Sequence, residues 1–188
     1  MRLLFHCCCG PCVSGCLETL HSENIDTKLF WYNPNIHPYT EYTSRRDSLI
    51  RLSETEDLEF KLIDDYGLND FIRGIGNDLE SGPKSEDALR CRYCYRIRLE
   101  RTALEACAFG YDAFSTSLLV SPYQLHDEIR LIGEDIAERY RIAFYYRDFR
   151  PHFREGQAQA RSQNLYMQKY CGCIFSEAER YESNISTP

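Results

Sequence analysis

The segment RLLFHCCCGPCVSGCLETL, residues 2–20, decides how the rest of the chain is read. Arg2–His6 is a short apolar run suited to a buried strand, and Val13, Cys16, Leu17 and Leu20 then recur at helical spacing. The alternation continues downstream. Thr27–Tyr32 (TKLFWY) is β-branched and aromatic, so it reads as a second strand, stopped by Asn33-Pro34. A polar helix is expected over Glu41 to Leu52 and a third strand over Glu59–Ile63. Gly74, Gly76, Gly82 and Pro83 mark a loop. A long helix follows from Cys91 to Phe109, with Tyr93, Ile97, Leu104 and Ala108 on one face and Gly110 as its stop. Ala113–Val120 reads as a strand running into Ser121-Pro122. Leu125, Ile129, Ile132, Ile136 and Tyr140 define an amphipathic helix, Arg141–Tyr146 a fifth strand, and Glu155–Asn164 a last helix. Five alternations of strand and helix predict an α/β domain over residues 1–175, with a mainly parallel five-stranded sheet flanked by helices. Residues 176–188 carry few apolar groups and read as a loose tail. Sites in such sheets form at the carboxyl ends of strands, here the loops after His6, Tyr32 and Val120.

The 188 residues allow one domain, at roughly 100–200 residues each. A 43% hydrophobic fraction permits a real core. No apolar run approaches the ~20 residues of a membrane helix, so no membrane partner is expected. Only three apolar residues lie between Arg2 and His6, too few for a signal-peptide core, so a cytoplasmic, reducing setting is expected. No Gly-rich phosphate loop of the P-loop type occurs. The net charge of −7 argues against a uniformly basic nucleic-acid binder. Its distribution is uneven: Arg90 to Arg101 holds five Arg against Glu100, whereas Glu54 to Asp65 holds six acids against Lys61. Local Arg patches can steer a polyanion despite an acidic total.

Ten cysteines are the unusual count. In a reducing compartment, clustered thiols indicate metal or redox chemistry rather than staples. They fall in Cys7-Cys8-Cys9-Gly10-Pro11-Cys12, Cys91-x-x-Cys94 and Cys171-Gly172-Cys173. Cys91 and Cys94 share one helix face near its start, where the dipole is expected to lower their pKa. Cys8, Cys9, Cys12, Cys91, Cys94, Cys171 and Cys173 read as seven ligands if the groups converge. Such a soft set suits iron–sulfur or zinc. Either one zinc or one [4Fe–4S] cluster takes four ligands, so seven thiols point to a cluster with a second centre. Cys7, Cys16 and Cys107 read as packing residues. Cys9-Gly10-Pro11-Cys12 also reads like a thioredoxin site, which keeps a dithiol oxidoreductase and a zinc-stabilised binding protein as alternatives.

The ordered motifs resemble a known family. They are His6 to Cys12; Tyr32-Asn33-Pro34-Asn35-Ile36-His37-Pro38 through Glu41, Tyr42 and Arg45; Arg90 to Ala103; Ser115 to Gln124; and Tyr170 to Cys173. Together they are similar to the cobalamin-independent epoxyqueuosine reductases, over about residues 3 to 175. The resemblance implies a Rossmann-like fold and removal of the epoxide oxygen of epoxyqueuosine at the tRNA wobble position, giving queuosine. It also implies a [4Fe–4S] cluster with an additional non-haem iron. Family members carry Cys or Asp at the position of Cys12, so no carboxylate ligand is available there in this chain. The division of the seven thiols between cluster and iron stays open.

Cys8, Cys9, Cys91, Cys94, Cys171 and Cys173 are expected against the cofactor. Catalytic roles are expected for Cys9, Cys12, His6 and Tyr123, the last two as candidate proton donors. Asn33, Asn35 and Tyr39 are expected at the site rim, although an Asn-Pro pair is equally a turn former. Arg45, Arg46, Arg92, Arg147, Arg150, Arg154 and Arg161 are expected against tRNA. An unstacked base would stack on an aromatic ring, and 14 Tyr supply candidates. An electron donor is also required, and the residues do not identify it.

Overall fold

A computed structural model describes residues 1–76 and 88–182. β1 (Arg2–His6) is flanked by β2 (Asp26–Trp31) and β4 (Ala113–Thr116), with β3 (Phe60–Leu62) and β5 (Ala143–Phe144) at the edges. The order is β3-β2-β1-β4-β5 and every pairing is parallel. Leu3, Leu4, Phe5, Leu29, Phe30 and Trp31 are fully buried, as expected of strands covered on both faces. Among the described residues seven helices surround the sheet: α1 (Gly10–Ser22), α2 (Tyr39–Thr55), α3 (Leu68–Ile75), α4 (Leu89–Ala108), α5 (His126–Tyr140), α6 (Phe153–Ser162) and α7 (Ile174–Tyr181). α1 packs against α6, and α4 packs against α5 and across β1 and β4. No described helix is long and apolar enough to cross a membrane.

The chain runs outward from β1 to β3, then returns to the other side of β1 for β4. Order reversal of this kind opens a crevice at the carboxyl ends of the two strands. The cysteine turn follows β1 there. The expected strand after Ala113 stops at Thr116, because the Thr116 hydroxyl accepts from Leu118 N at 3.1 Å and starts a 3-10 turn over Ser117–Val120. That turn lays the SPYQ segment beside the cysteines.

Several expectations need correction. β5 pairs over only two residues, since Arg141 caps α5 in the left-handed region and the strand lies at the sheet edge. α3 was not foreseen. It buries only Phe71 and Ile75, and its Gly74 sits under the Tyr93 ring, where a Cβ would meet the hydroxyl oxygen at 1.8 Å. Gly82 and Pro83 lie outside the described residues. α4 does stop before Gly110, at φ +69°, but it buries Tyr95, Arg98, Leu99, Thr102, Ala103 and Ala106 instead of the predicted stripe. Leu104 and Cys107 therefore face solvent, and Cys107 is no core residue. The segment read as loose from residue 176 is helical to Tyr181.

Candidate metal centre and cleft

The turn after β1 is short because α1 begins at once, with Pro11 in its first turn where a missing N–H costs nothing. Cys12 therefore projects back toward Cys8 and Cys9. The three buried thiols lie within 4.8 Å of one another, with 3.7 Å between Cys8 and Cys9. A tetrahedral ion with bonds of about 2.3 Å to sulfur spaces its ligands about 3.8 Å apart, so this trio fits one metal ion. Ser117 accepts from Cys8 N at 3.1 Å and donates to Cys8 Sγ at 3.5 Å. Gln168 donates to Cys12 Sγ at 3.4 Å. Hydrogen bonds from Cys12 and Cys9 hold Cys8 well below the usual thiol range. Burial pushes Cys9 up, and the three thiols titrate as one coupled group.

The other four thiols come from the start of α4 and from the loop before α7. Burial pushes Cys91 up to about 12, with the nearby Cys171 and Cys173 adding to the shift. Cys94 is also pushed up, again by burial. Desolvation thus outweighs the helix dipole expected to lower both. Arg45 fixes the Cys171-Gly172-Cys173 loop by donating to Cys171 O at 3.0 Å and Tyr170 O at 2.9 Å. Gly172 makes this possible: it adopts φ +127°, and a Cβ would lie 3.1 Å from Arg45 Nη1. His37 N donates to Gly172 O at 2.8 Å, so the loop after β2 braces the same segment.

Both sets meet at one cleft of about 780 Å³. Cys8, Cys12, Cys91, Cys171 and Cys173 line it, while Cys9 and Cys94 lie outside its lining. Gln124 spans its wall, donating to Cys171 Sγ at 3.4 Å and accepting from Tyr95 at 2.9 Å. At the mouth Tyr123, 77% exposed, stands edge-on to Phe153 with ring centroids 6.0 Å apart. Arg154, Arg161, Lys169 and Arg180 also line the cleft and form no ion pair among the described residues.

The profile of the family described as Epoxyqueuosine reductase QueH matches residues 3–179. The chain belongs to this family. It is 32% identical over 180 residues to the Epoxyqueuosine reductase QueH of Dehalococcoides mccartyi, covering 96% of this chain and 94% of that protein. It is 34% identical to the protein of the same name from Thermotoga maritima, covering 97% and 93%. The corresponding protein of Acinetobacter baylyi is 35% identical, covering 93% and 80%.

Within this member of the QueH family, the other predicted site residues separate into three groups. His6 is fully buried, its Nδ1 2.9 Å from Thr116 Oγ1 and its Nε2 3.2 Å from Tyr32 O. Thr116 Oγ1 already accepts from Leu118 N, so these partners assign the Nε2–H tautomer. Burial, first, and Arg98 push His6 down to about 3. Asn33 and Asn35 are fully buried and absent from the cleft lining, and Tyr39 is exposed and also absent from it. Arg45 is 1% exposed and held by Glu41. Arg46, Arg92, Arg147 and Arg150 pair with acids outside the cleft. Cys7 and Cys16 donate to main-chain oxygens, of Phe5 and Cys12 respectively, inside the core. Sequence reasoning did not single out Ser117, Gln124, Gln168 and Arg98 as thiol partners. Gln124 lay in a quoted motif, and Arg98 fell three residues from Tyr95 on the face of α4 that is buried.

Proposed function

We propose that this chain is an epoxyqueuosine reductase, as its relatives are named, and that it acts on tRNA carrying epoxyqueuosine in the anticodon. The observation that carries the reading is the convergence of five cysteines from three separate segments on one cleft. The reaction breaks two C–O bonds and forms a C=C bond. It consumes two electrons from an external one-electron donor and two protons, and the oxygen leaves as water. The donor set fits a metal cofactor: all ten cysteines are free, Cys8, Cys9 and Cys12 lie within 4.8 Å of one another, and Cys91, Cys171 and Cys173 line the same cleft as Cys8 and Cys12. Cys91, Cys94, Cys171 and Cys173 would supply the four thiolates of a [4Fe–4S] cluster, and Cys8, Cys9 and Cys12 would hold an additional non-haem iron. When bound, this cofactor supplies electrons one at a time and a Lewis acid for the epoxide oxygen.

The chain's own groups do the rest. Tyr123 and Phe153 offer aromatic faces at the mouth for an unstacked base. Arg154, Arg161, Lys169 and Arg180 face the phosphates beside it. His6 stays neutral and holds the ends of β1, β2 and β4 together. Cys9 has no exposed surface, so it is not placed to attack a partner's disulfide as a thioredoxin-like site would. The ten reduced thiols suit a cytoplasmic setting.

Anaerobic purification with metal analysis and assay on epoxyqueuosine tRNA tests the reading. A brown protein with at least five irons per chain that forms queuosine is expected. A colourless, zinc-loaded and fully active preparation overturns it.

A further inference from the structure

Three arginines are buried around the cysteine groups: Arg45, Arg90 and Arg98, at 1%, 3% and 1% exposure. Two of them are balanced by carboxylates. Arg45 lies 2.6 Å from Glu41, and Arg90 bonds Glu179. Arg98 pairs with no carboxylate among the described residues. Its Nε donates to Cys94 O at 2.9 Å, and its Nη2 donates to Cys94 Sγ at 3.1 Å. A guanidinium does not shed its proton in a protein. Buried without an anion it is strongly destabilising. The groups that act on it electrostatically are Cys94, then Cys171 and Cys8, from both thiol groups, and a thiol that binds metal does so as a thiolate.

Resting on the iron–sulfur reading above, we infer that Arg98 is the fixed countercharge of the metal centre, a positioning residue that holds its reduction potential up. Cys94, one of the expected ligands, receives an N–H···S bond from one immovable positive charge. Net charge and hydrogen bonds to the sulfurs are two of the levers that set cluster potentials. Reduction adds one electron to a centre that is already anionic. A nearby cation favours that state, so removing it moves the potential to more negative values. Arg45 and Arg90 contribute less because Glu41 and Glu179 offset them. Sequence periodicity hides this role, since a charged residue on a buried helix face is read as a break in the apolar stripe.

The test is a mediator-coupled redox titration of anaerobically purified, cluster-loaded full-length chain, followed by electron paramagnetic resonance, for wild type, Arg98→Met and Arg98→Lys. Arg98→Met is expected to lower the equilibrium constant for one-electron reduction at least tenfold, about 59 mV. Arg98→Lys keeps the charge and is expected to titrate close to wild type. If Arg98→Met folds poorly or cannot be loaded while Arg98→Lys loads and titrates as wild type, the charge is again assigned the role. A loaded Arg98→Met with an unchanged potential overturns the inference. So does an Arg98→Lys protein that departs from wild type as far as Arg98→Met, because geometry rather than charge would then be the cause. A wild-type chain with no cluster signal overturns the iron–sulfur reading itself, and this inference with it.

Discussion

Asn33 Nδ2 donates to the main-chain oxygen of Cys7 at 2.8 Å, joining the loop after β2 to the cysteine turn across 26 residues of sequence. Both groups are fully buried. The bond sets the direction in which the chain leaves β1, and so where Cys8 and Cys9 point. Asn33→Ala leaves a buried carbonyl without its partner, at about 1–3 kcal/mol. Asn33→Asp sets an acceptor against that carbonyl and is expected to cost more. Urea unfolding should rank wild type above Asn33→Ala and Asn33→Asp lowest, with bound metal per chain falling in the same order. An Asn33→Ala protein with wild-type midpoint and metal content would remove the loop from the site's support.

α6 carries Arg154, Gln157 and Arg161 to the cleft, and its seat is a backbone crossing with α1. A Cβ on Gly156 would meet Gly15 Cα and N, each at 2.4 Å, and backbone atoms cannot swing aside. On Gly15 the nearest atoms are a Val120 methyl at 2.9 Å and the His152 main-chain oxygen at 3.1 Å. Gly156→Ala is therefore expected to destabilise by about 1–3 kcal/mol and to displace α6. Gly15→Ala should cost less, because its closest backbone contact, His152 O, is at 3.1 Å rather than 2.4 Å. Equal midpoints for the two variants would show that α6 is not seated on this contact.

The parts that were legible in the sequence are those whose partners are apolar or adjacent. Leu29, Phe30 and Trp31 form an unbroken apolar run because helices cover both faces of the sheet. The three cysteine groups stand out by spacing alone. What escaped depends on partners far along the chain. Arg45 reads as a surface cation, but it holds carbonyls 125 and 126 residues away. The inward face of α4 was misread because Arg98 and Thr102 are buried on it, while Leu104 and Cys107 are not. α3 offers just two buried side chains, too few to show a period.

His6 gives a pH signature. Its folded pKa is depressed, mainly by burial, from 6.5 to about 3. Between those values the unfolded chain binds a proton that the folded chain refuses, so stability falls as pH falls through that window. The slope approaches about 1.4 kcal/mol per pH unit. His6→Gln loses native hydrogen bonds and is expected to be less stable than wild type at pH 7. It also lacks the proton linkage, so the gap should narrow steadily from pH 6 to pH 4. Urea midpoints that keep a constant gap over this range would contradict a buried neutral His6.

Tyr123 is the exposed ring at the cleft mouth, supported by Phe153 from the side. A base–aromatic stack contributes about 1–3 kcal/mol, so Tyr123→Ala should weaken substrate tRNA roughly tenfold or more. Bound metal should not change, since the ring is 77% exposed at the cleft mouth. Tyr123→Phe should retain the affinity if stacking is the role, and lose turnover if the hydroxyl delivers a proton. Measuring affinity and single-turnover rate on the same preparations separates the two. An alanine variant with wild-type affinity would place the base elsewhere.

The arginines divide by whether an acid already holds them. Arg92 lies 2.6 Å from Glu128, and Arg150 lies 2.6 Å from Asp148. Arg154 and Arg161 line the cleft and have no acidic partner among the described residues. A phosphate must displace the carboxylate to reach the first pair, whereas the second pair is free to bind it. Each phosphate contact contributes about 0.7–0.9 to the slope of log affinity against log salt. Arg154→Gln with Arg161→Gln should therefore flatten that slope by about 1.5, with affinity falling most at low salt. Arg92→Gln with Arg150→Gln should leave the slope within error. Equilibrium binding of tRNA across a salt series decides between them, and a slope lost only in the second double variant would move the tRNA track away from the cleft.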